Sequence, residues 1–562
     1  MSPLRSNFEP GTTRWAVRRA QWRAMGISEE DLDKPKIAVV NSSSALSVCF
    51  QHLDGVSELV QDAIRRAGGL PFEIHTVAPS DFITSGGREA RYLLPSRDLL
   101  VNDIEVAVEG AVLDGMVCLA SCDKTTPAHL MAAGRLDVPT IVVICGYQLG
   151  GLCGGREVDI DDVYESVGSV VAGTMTVDGL RDLTDRAITG PGVCAGLGTA
   201  NSMHIASEAL GMSLPGSAPV RAGGRAMESL AGRAGTRIVD LIHDEVRPRS
   251  ILTAESVENA VITTLAVSGS VNTPRHLQAV AVEAGLDVDV YGLIEKHIDD
   301  VPQLCVVRPN GLHTVEQLER AGGTRGLLRQ LRDLLHLDVA TVDGRTLREL
   351  CEDAEVTDDE VIRPVAQPRS PRPGLVLIRG SLAPDGALVK LAAVPPDRRR
   401  FEGRARVYTS ETTAIEALDG RIRPGDVVVL RGLGPMGGPG TVFAASFAAA
   451  LNGAGLASEV AVVTDGELSG LNRGLIVGQV MPEAAEGGPL ALVDDDDPIA
   501  IDLEQAMRID LEVGADELQR RRARWVAPEM PRERSWLSQY RQLVQPLTQG
   551  AVLGPLDDQE RT

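Results

Sequence analysis

The chain has 562 residues, more than one hydrophobic core usually serves, so two domains are expected. Its formal charge of -23 excludes most nucleic-acid and anionic-membrane partners, which need a basic face, and no apolar run approaches the roughly 18 residues of a membrane span. Eight cysteines in so long a chain are no disulfide framework; their clustering on glycine-rich turns suits metal chemistry in a reducing, cytoplasmic compartment.

The arginine-rich stretch from Arg14 to Arg23 reads as a surface helix and not as a transit peptide, because Glu29, Glu30 and Asp31 follow it and no apolar signal region appears. Lys36 to Asn41 reads as a strand, followed by Ser42-Ser43-Ser44, then Cys49, then an amphipathic helix from His52 to Arg66. Phe72 to Val77 is a second strand, ending in Ala78-Pro79-Ser80-Asp81. Gly115 to Ala120 is a third, and Thr126-Pro127 supply the N-cap and first position of a helix from Ala128 to Leu136. Between them stands Cys122-Asp123-Lys124, a soft metal ligand, a hard one and an amine. In a parallel sheet Cys49, Asp81, Cys122, Asp123 and Lys124 would converge on the carboxyl edge, where ligands bind beside helix N-termini. A fourth loop, Gly190 to Gly196, opens a helix through Ser202 to Leu210 and brings Cys194. Cys118, Cys145, Cys153, Cys305 and Cys351 match no ligand motif and read as small buried apolar residues or incidental thiols.

Composition shifts at Val361 to Pro373, where proline and arginine concentrate; this is the expected crossover between domains. Upstream, helices and strands alternate; downstream, short strands are predicted at Leu375–Ile378, Arg406–Tyr408, Val427–Leu430, Val460–Val463 and Leu490–Val493. Asp494 to Asp497 reads as a solvated acidic turn.

Several motifs run colinearly along the chain: Cys49-Phe50-Gln51-His52-Leu53, Leu94-Pro95-Ser96-Arg97-Asp98, Cys122-Asp123-Lys124, Gly196 to Met203, Arg379 to Gly386, Gly437-Gly438-Pro439-Gly440, Thr464 to Gly470 and Pro482 to Pro489. Together they resemble the dihydroxy-acid dehydratase and 6-phosphogluconate dehydratase family of iron–sulphur enzymes, and Leu94 to Arg97 is similar to the dihydroxy-acid branch. The resemblance implies an α/β fold: an N-terminal α/β/α sandwich with a parallel sheet over residues 1–365 and a smaller C-terminal β-barrel-like, swivelling domain over 366–562. It places the active site between the domains near a dimer interface, in a homodimer or dimer of dimers.

Dehydration of a 2,3-dihydroxy acid expels hydroxide, a poor leaving group, so a Lewis acid is needed at the C3 oxygen. Three thiolates on a 2Fe-2S cluster leave one iron position open, and Cys49, Cys122 and Cys194 match the family's ligands. The C2 proton is weakly acidic, and a cation on the substrate carboxylate stabilises the charge its removal builds. Asp81 and Asp123 match magnesium ligands, and Lys124 matches a lysine that the family carbamylates, which requires a neutral amine. Ser469 matches the general base, and the enol product tautomerises to a 2-oxo acid, as in branched-chain amino acid biosynthesis.

Departures from the pattern define further expectations. Phe443 stands where the family places a glutamate ligand to magnesium, Met436 replaces a lysine, and Glu467-Leu468 replaces Arg-Phe before the serine. Glu467 is expected to substitute as metal ligand or charge balance, and Phe443 to favour a bulkier or less polar acid. Arg88-Glu89 and Ala45 also leave the pattern. Three readings follow: a dehydratase making a 2-oxo acid on a small-molecule hydroxy acid, a sugar-acid dehydratase, and a catalytically silent iron–sulphur protein that binds a partner or senses oxidant.

Overall fold

The computed structural model describes residues 4–84, 90–468, 473–529 and 533–554. Four strands, β1 (Lys36–Asn41), β2 (Leu70–His75), β3 (Gly115–Ala120) and β4 (Thr140–Ile144), form a sheet in the order β2-β1-β3-β4, every neighbouring pair parallel. Strands β1 and β3 are wholly buried, β3 apolar throughout and β1 apolar between Lys36 and Asn41 at its ends, as central strands covered on both faces must be. One cover is the helix Leu53–Arg66, which packs on the helix Arg225–His243; a Cβ at Gly235 would lie 2.6 Å from the carbonyl oxygen of Val60, so only glycine permits this approach. A short hairpin, β5 (Gly151–Cys153) and β6 (Arg156–Val158), follows. The stretch Thr13–Ala24 is a helix with no buried residue, as its charge pattern predicts.

The second sheet has eight strands: β7 (Val376–Ile378), β8 (Gly386–Val389), β9 (Arg400–Tyr408), β10 (Asp426–Leu430), β11 (Ala461–Thr464), β12 (Ile476–Met481), β13 (Pro498–Asp502) and β14 (Arg508–Leu511). Their order is β14-β13-β9-β10-β11-β12-β8-β7, with β9 to β12 parallel and the flanking pairs antiparallel. The two edges meet where Arg379 bridges Arg508, with the Ile509 amide donating to the Arg379 carbonyl at 3.0 Å, so the sheet is nearly a barrel. Alternation along β10 shows how it is filled: Val427 and Val429 enter the barrel's own core, while Val428 and Leu430 join the large core shared with the first sheet.

The structure moves several predicted elements. The second strand lies two residues earlier than Phe72–Val77. The helix after β3 starts at Thr125, because the Thr125 hydroxyl accepts from the Ser121 amide (2.9 Å) and donates to the Cys122 carbonyl (3.1 Å), tightening the turn one step sooner; Pro127 still sits in the first turn, where no N–H is required. The helix beyond the Cys194 loop runs Thr199–Ala209. Leu490–Val493 is no strand: Pro489–Leu492 is a 3-10 turn, since Pro489 cannot donate to a ladder and the Ala491 amide bonds the Gly488 carbonyl. Asp497 is not part of a solvated turn; it is buried and ion-paired with Arg521.

Arg97, from the Leu94 to Arg97 motif, is fully buried in the helix Leu93–Ala111. It donates to the carbonyls of Gly550 (3.0 Å) and Ala551 (2.7 Å) and pairs with Asp98 at 3.1 Å, while Trp536 donates to the Pro95 carbonyl at 3.2 Å. The motif therefore docks the C-terminal segment. Arg97→Met strands Asp98 without its partner and is expected to cost about 3–5 kcal/mol of stability. Thermal melting and limited proteolysis of residues 533–554 measure this; an unchanged midpoint would refute the docking role.

Candidate functional site

The three loops that leave β1, β2 and β3 lie side by side because the strands are parallel and in register, and they carry Cys49, Asp81 and Cys122-Asp123-Lys124 to one edge. The Cys194 loop reaches the same edge from beyond β4: the Gly192 amide donates to the Val48 carbonyl at 3.2 Å, and the Asn201 amide group holds the carbonyls of Cys194 (2.8 Å) and Gly196 (2.9 Å). All eight cysteines are free; Cys49 and Cys122 are buried and Cys194 half-buried. Cys118, Cys145, Cys305 and Cys351 are buried as expected, and Cys153 is half-buried.

Ligand atoms of Asp81, Cys122 and Asp123 all lie within 4.8 Å of one another, a group that can hold a metal ion. The Cys122 thiol donates to Asp81 Oδ1 at 3.3 Å. A hydrogen bond with Cys49, burial, and the charges of Asp81 and Asp123 push the Cys122 thiol well above its usual range; burial, Asp81 and Cys49 do the same to Cys194. Three thiols thus share one field. Burial, then Asp81 and Glu467 acting against Lys124, push the Asp123 carboxyl up to about 7. Such a crowd of thiols and carboxylates holds protons until a cation displaces them.

Glu467 comes from the second sheet, and both it and Lys124 are fully buried. The Lys124 ammonium donates to Glu467 Oε1 at 2.7 Å and stands 3.9 Å from Asp123 Oδ2. Burial alone would raise the Glu467 carboxyl, but Arg275 and Lys124 outweigh it and hold it below its usual range. Glu467 Oε2 is buried with no partner among the described residues, an orphaned acceptor that a cation would satisfy.

Phe443 lies directly beside Glu467: the two form a parallel bridge, with the Ala444 amide donating to the Glu467 carbonyl at 3.1 Å and the Glu467 amide to the Val442 carbonyl at 3.0 Å. A carboxylate thus stands at the position bridged to 443, where the family resemblance leads one to expect a glutamate. Phe443 packs with Ala90, Leu93, Ala445 and half-buried Tyr164, an apolar wall beside the acidic group. Ser469 and the pair Arg88-Glu89 lie outside the described residues. The preceding residue, Leu468, is held: Asn272 donates to its carbonyl at 2.8 Å, and Gln479 donates to Asn272 Oδ1 at 3.0 Å. Asp465 and Glu483, from the family-like motifs, are clamps: Asp465 accepts from the amides of Gly432, Leu433 and Ala484, and Glu483 from those of Met436 and Gly437. Ala45 is exposed on the Cys49 loop. Sequence reading missed Arg275 and Asn272; a lone cation in the first turn of the otherwise largely apolar helix Thr273–Glu283 was the available signal.

A parallel sheet with a buried set of thiols and carboxylates at its carboxyl edge, faced by a near-barrel that contributes one more carboxylate, has the layout of an enzyme active site with a group able to hold a metal ion. Residues 34–350 match the family model described as dihydroxy-acid/6-phosphogluconate dehydratase N-terminal, and residues 360–551 match its C-terminal counterpart. A dihydroxy-acid dehydratase of Syntrophobacter fumaroxidans is 42% identical over 98% of this chain and 99% of its own length; that of Pyrococcus abyssi is 44% identical over 96% and 97%. The chain belongs to the dihydroxy-acid/6-phosphogluconate dehydratase family and is a hydro-lyase. Among the described residues no helix is long and apolar enough to cross a membrane.

Proposed function

We propose that this hydro-lyase is an iron–sulphur enzyme that dehydrates a 2,3-dihydroxy carboxylic acid to a 2-oxo acid. The observation that carries the reading is the meeting of Cys49, Cys122 and Cys194 with Asp81, Asp123, Lys124 and Glu467 at one sheet edge. Cys49, Cys122 and Cys194 would hold a 2Fe-2S cluster, which supplies Lewis acidity for departure of the C3 hydroxyl. Asp81, Asp123 and Glu467, with a carbamylated Lys124, would hold Mg2+, which supplies charge stabilisation at the substrate carboxylate.

The remaining work falls to this chain's own residues. Ser469 takes the C2 proton, and Asn272 anchors the preceding residue, Leu468. Carbamylation of Lys124 needs a neutral amine, so the proton it shares with Glu467 must first leave. Phe443 and Leu93 keep water from the acidic group and give the site an apolar wall, which suits a hydrocarbon-bearing acid better than a polyol. This disfavours the sugar-acid reading. The silent iron–sulphur reading draws on Phe443 alone and leaves the buried Lys124–Glu467 pair without a purpose. We place the division between the two domains near residue 365, the smaller one a swivelling domain, in a cytoplasmic homodimer or dimer of dimers, as the family resemblance supports.

The test is 2-oxo acid formation from 2,3-dihydroxyisovalerate by anaerobically purified, cluster-reconstituted protein, with and without magnesium, with iron and sulphide assayed on the same sample. Magnesium-dependent turnover is expected, and Cys122→Ser is expected to lower it at least about 10³-fold together with bound iron. A loaded cluster that turns over no member of a dihydroxy-acid panel would refute the catalytic reading.

A further inference from the structure

Arg275 occupies an expensive place. It is fully buried, and it stands in the first turn of the helix Thr273–Glu283, where the positive end of the helix dipole disfavours a cation. One nitrogen, Nη2, donates to Glu467 Oε1 at 2.8 Å and lies 3.4 Å from His276 Nε2; Nε and Nη1 have no partner among the described residues. A cation so placed persists only if its one strong contact matters.

That contact is with the same oxygen that Lys124 holds. Glu467 Oε1 accepts two charged hydrogen bonds, from Lys124 at 2.7 Å and from Arg275 at 2.8 Å, and Oε2 accepts none. Once Lys124 is carbamylated its bond to Oε1 is given up, and Arg275 is then the donor that holds this oxygen and sets where the second one points. The ammonium that holds Oε1 also faces Asp123 Oδ2 at 3.9 Å, which sets Glu467 beside the Asp81–Cys122–Asp123 group. The same helix start grips the next residue through the Asn272 bond to the Leu468 carbonyl.

We propose that Arg275 is a positioning residue for the metal centre: it pins one oxygen of Glu467 so that the other is presented to the divalent cation. The assignment rests on the reading that Asp81, Asp123 and Glu467 hold that cation. Its sign is distinctive. Arg275 adds positive charge near the site, so simple removal of charge would tighten cation binding, whereas loss of a positioning contact weakens it.

The experiment is a titration of cluster-reconstituted, full-length protein with Mn2+ alone, followed by electron paramagnetic resonance, with thermal melting in parallel. Arg275→Leu is expected to bind Mn2+ at least about 10-fold more weakly than wild type, with Arg275→Lys recovering part of the loss. Glu467→Gln, which removes the ligand itself, is expected to bind Mn2+ at least as weakly as Arg275→Leu. Wild-type affinity in Arg275→Leu, or tighter binding there, overturns the assignment alone. A wild-type protein that binds no Mn2+ overturns the cation-site reading and the assignment together.

Discussion

Glu467→Gln is expected to weaken Mg2+ binding by about 10–100-fold and to lower turnover at least as much, and adding Phe443→Glu to that variant is expected to restore a large part of both. The reason lies in the bridge between the two positions. The two residues pair in an isolated parallel bridge, and residues so paired project to the same side, so a carboxylate at 443 starts beside the one at 467 and is expected to reach the same region. Glutamine keeps the shape of Glu467 but leaves Lys124 and Arg275, both fully buried, facing a neutral amide, at a cost of about 3–5 kcal/mol in stability. The added carboxylate returns charge to the region without rebuilding the Arg275 contact. Metal affinity should therefore recover more than the melting temperature does. Unchanged magnesium affinity and turnover in Glu467→Gln would sink the assignment of Glu467, and failure of Phe443→Glu to rescue would show that the two positions are not interchangeable.

What was legible in the sequence depended on how far apart the partners lie along the chain. The convergence of Cys49, Asp81 and Cys122-Asp123-Lys124 could be read because each lies in the loop that follows a strand, and parallel strands align their ends. Glu467 was visible as a departure from the family pattern, yet its partners were not: Lys124 and Arg275 are separated from it by long stretches of chain, and no periodicity encodes such a meeting. The near-barrel was only partly legible. Val427 to Leu430 is continuously apolar because both faces are covered, whereas β14 alternates charged with apolar residues, β13 starts at a proline and ends at an aspartate, and β12 is broken by Gly478, where the register slips. Leu490 to Val493 has a strand's composition but follows a proline, and local backbone chemistry prevailed. The Leu94 to Arg97 motif was read for substrate branch; Arg97 spends its hydrogen bonds on the C-terminal segment, a role that chain separation conceals.

The metal-free protein is expected to lose stability as pH rises from about 4 to about 7, and Mg2+ is expected to return that stability more fully at pH 8 than at pH 5.5. Asp123 has an ordinary carboxyl value of 3.8 when unfolded and is pushed up to about 7 in the fold, by burial first and then by Asp81 and Glu467. The folded state therefore binds the additional proton. Its contribution is fully present below the unfolded value, is lost progressively up to about 7, and amounts to about 4 kcal/mol over that window. Below pH 7 a cation must displace the proton on Asp123, so its apparent affinity rises with pH and then levels off. The shift in melting temperature on adding Mg2+, measured at half-unit steps from pH 5.5 to 8, should follow that curve. Asp123→Asn removes this ionising group: the variant should melt above metal-free wild type at pH 8, fall less steeply with pH because Glu208, also pushed up to about 7 by burial, still titrates, and respond little to Mg2+. Catalytic sites commonly carry such a cost, since the charges that bind the cation repel one another without it. A Mg2+ response independent of pH in wild type, or a full response in Asp123→Asn, would remove Asp123 from the cation site and leave its high carboxyl value a consequence of burial alone.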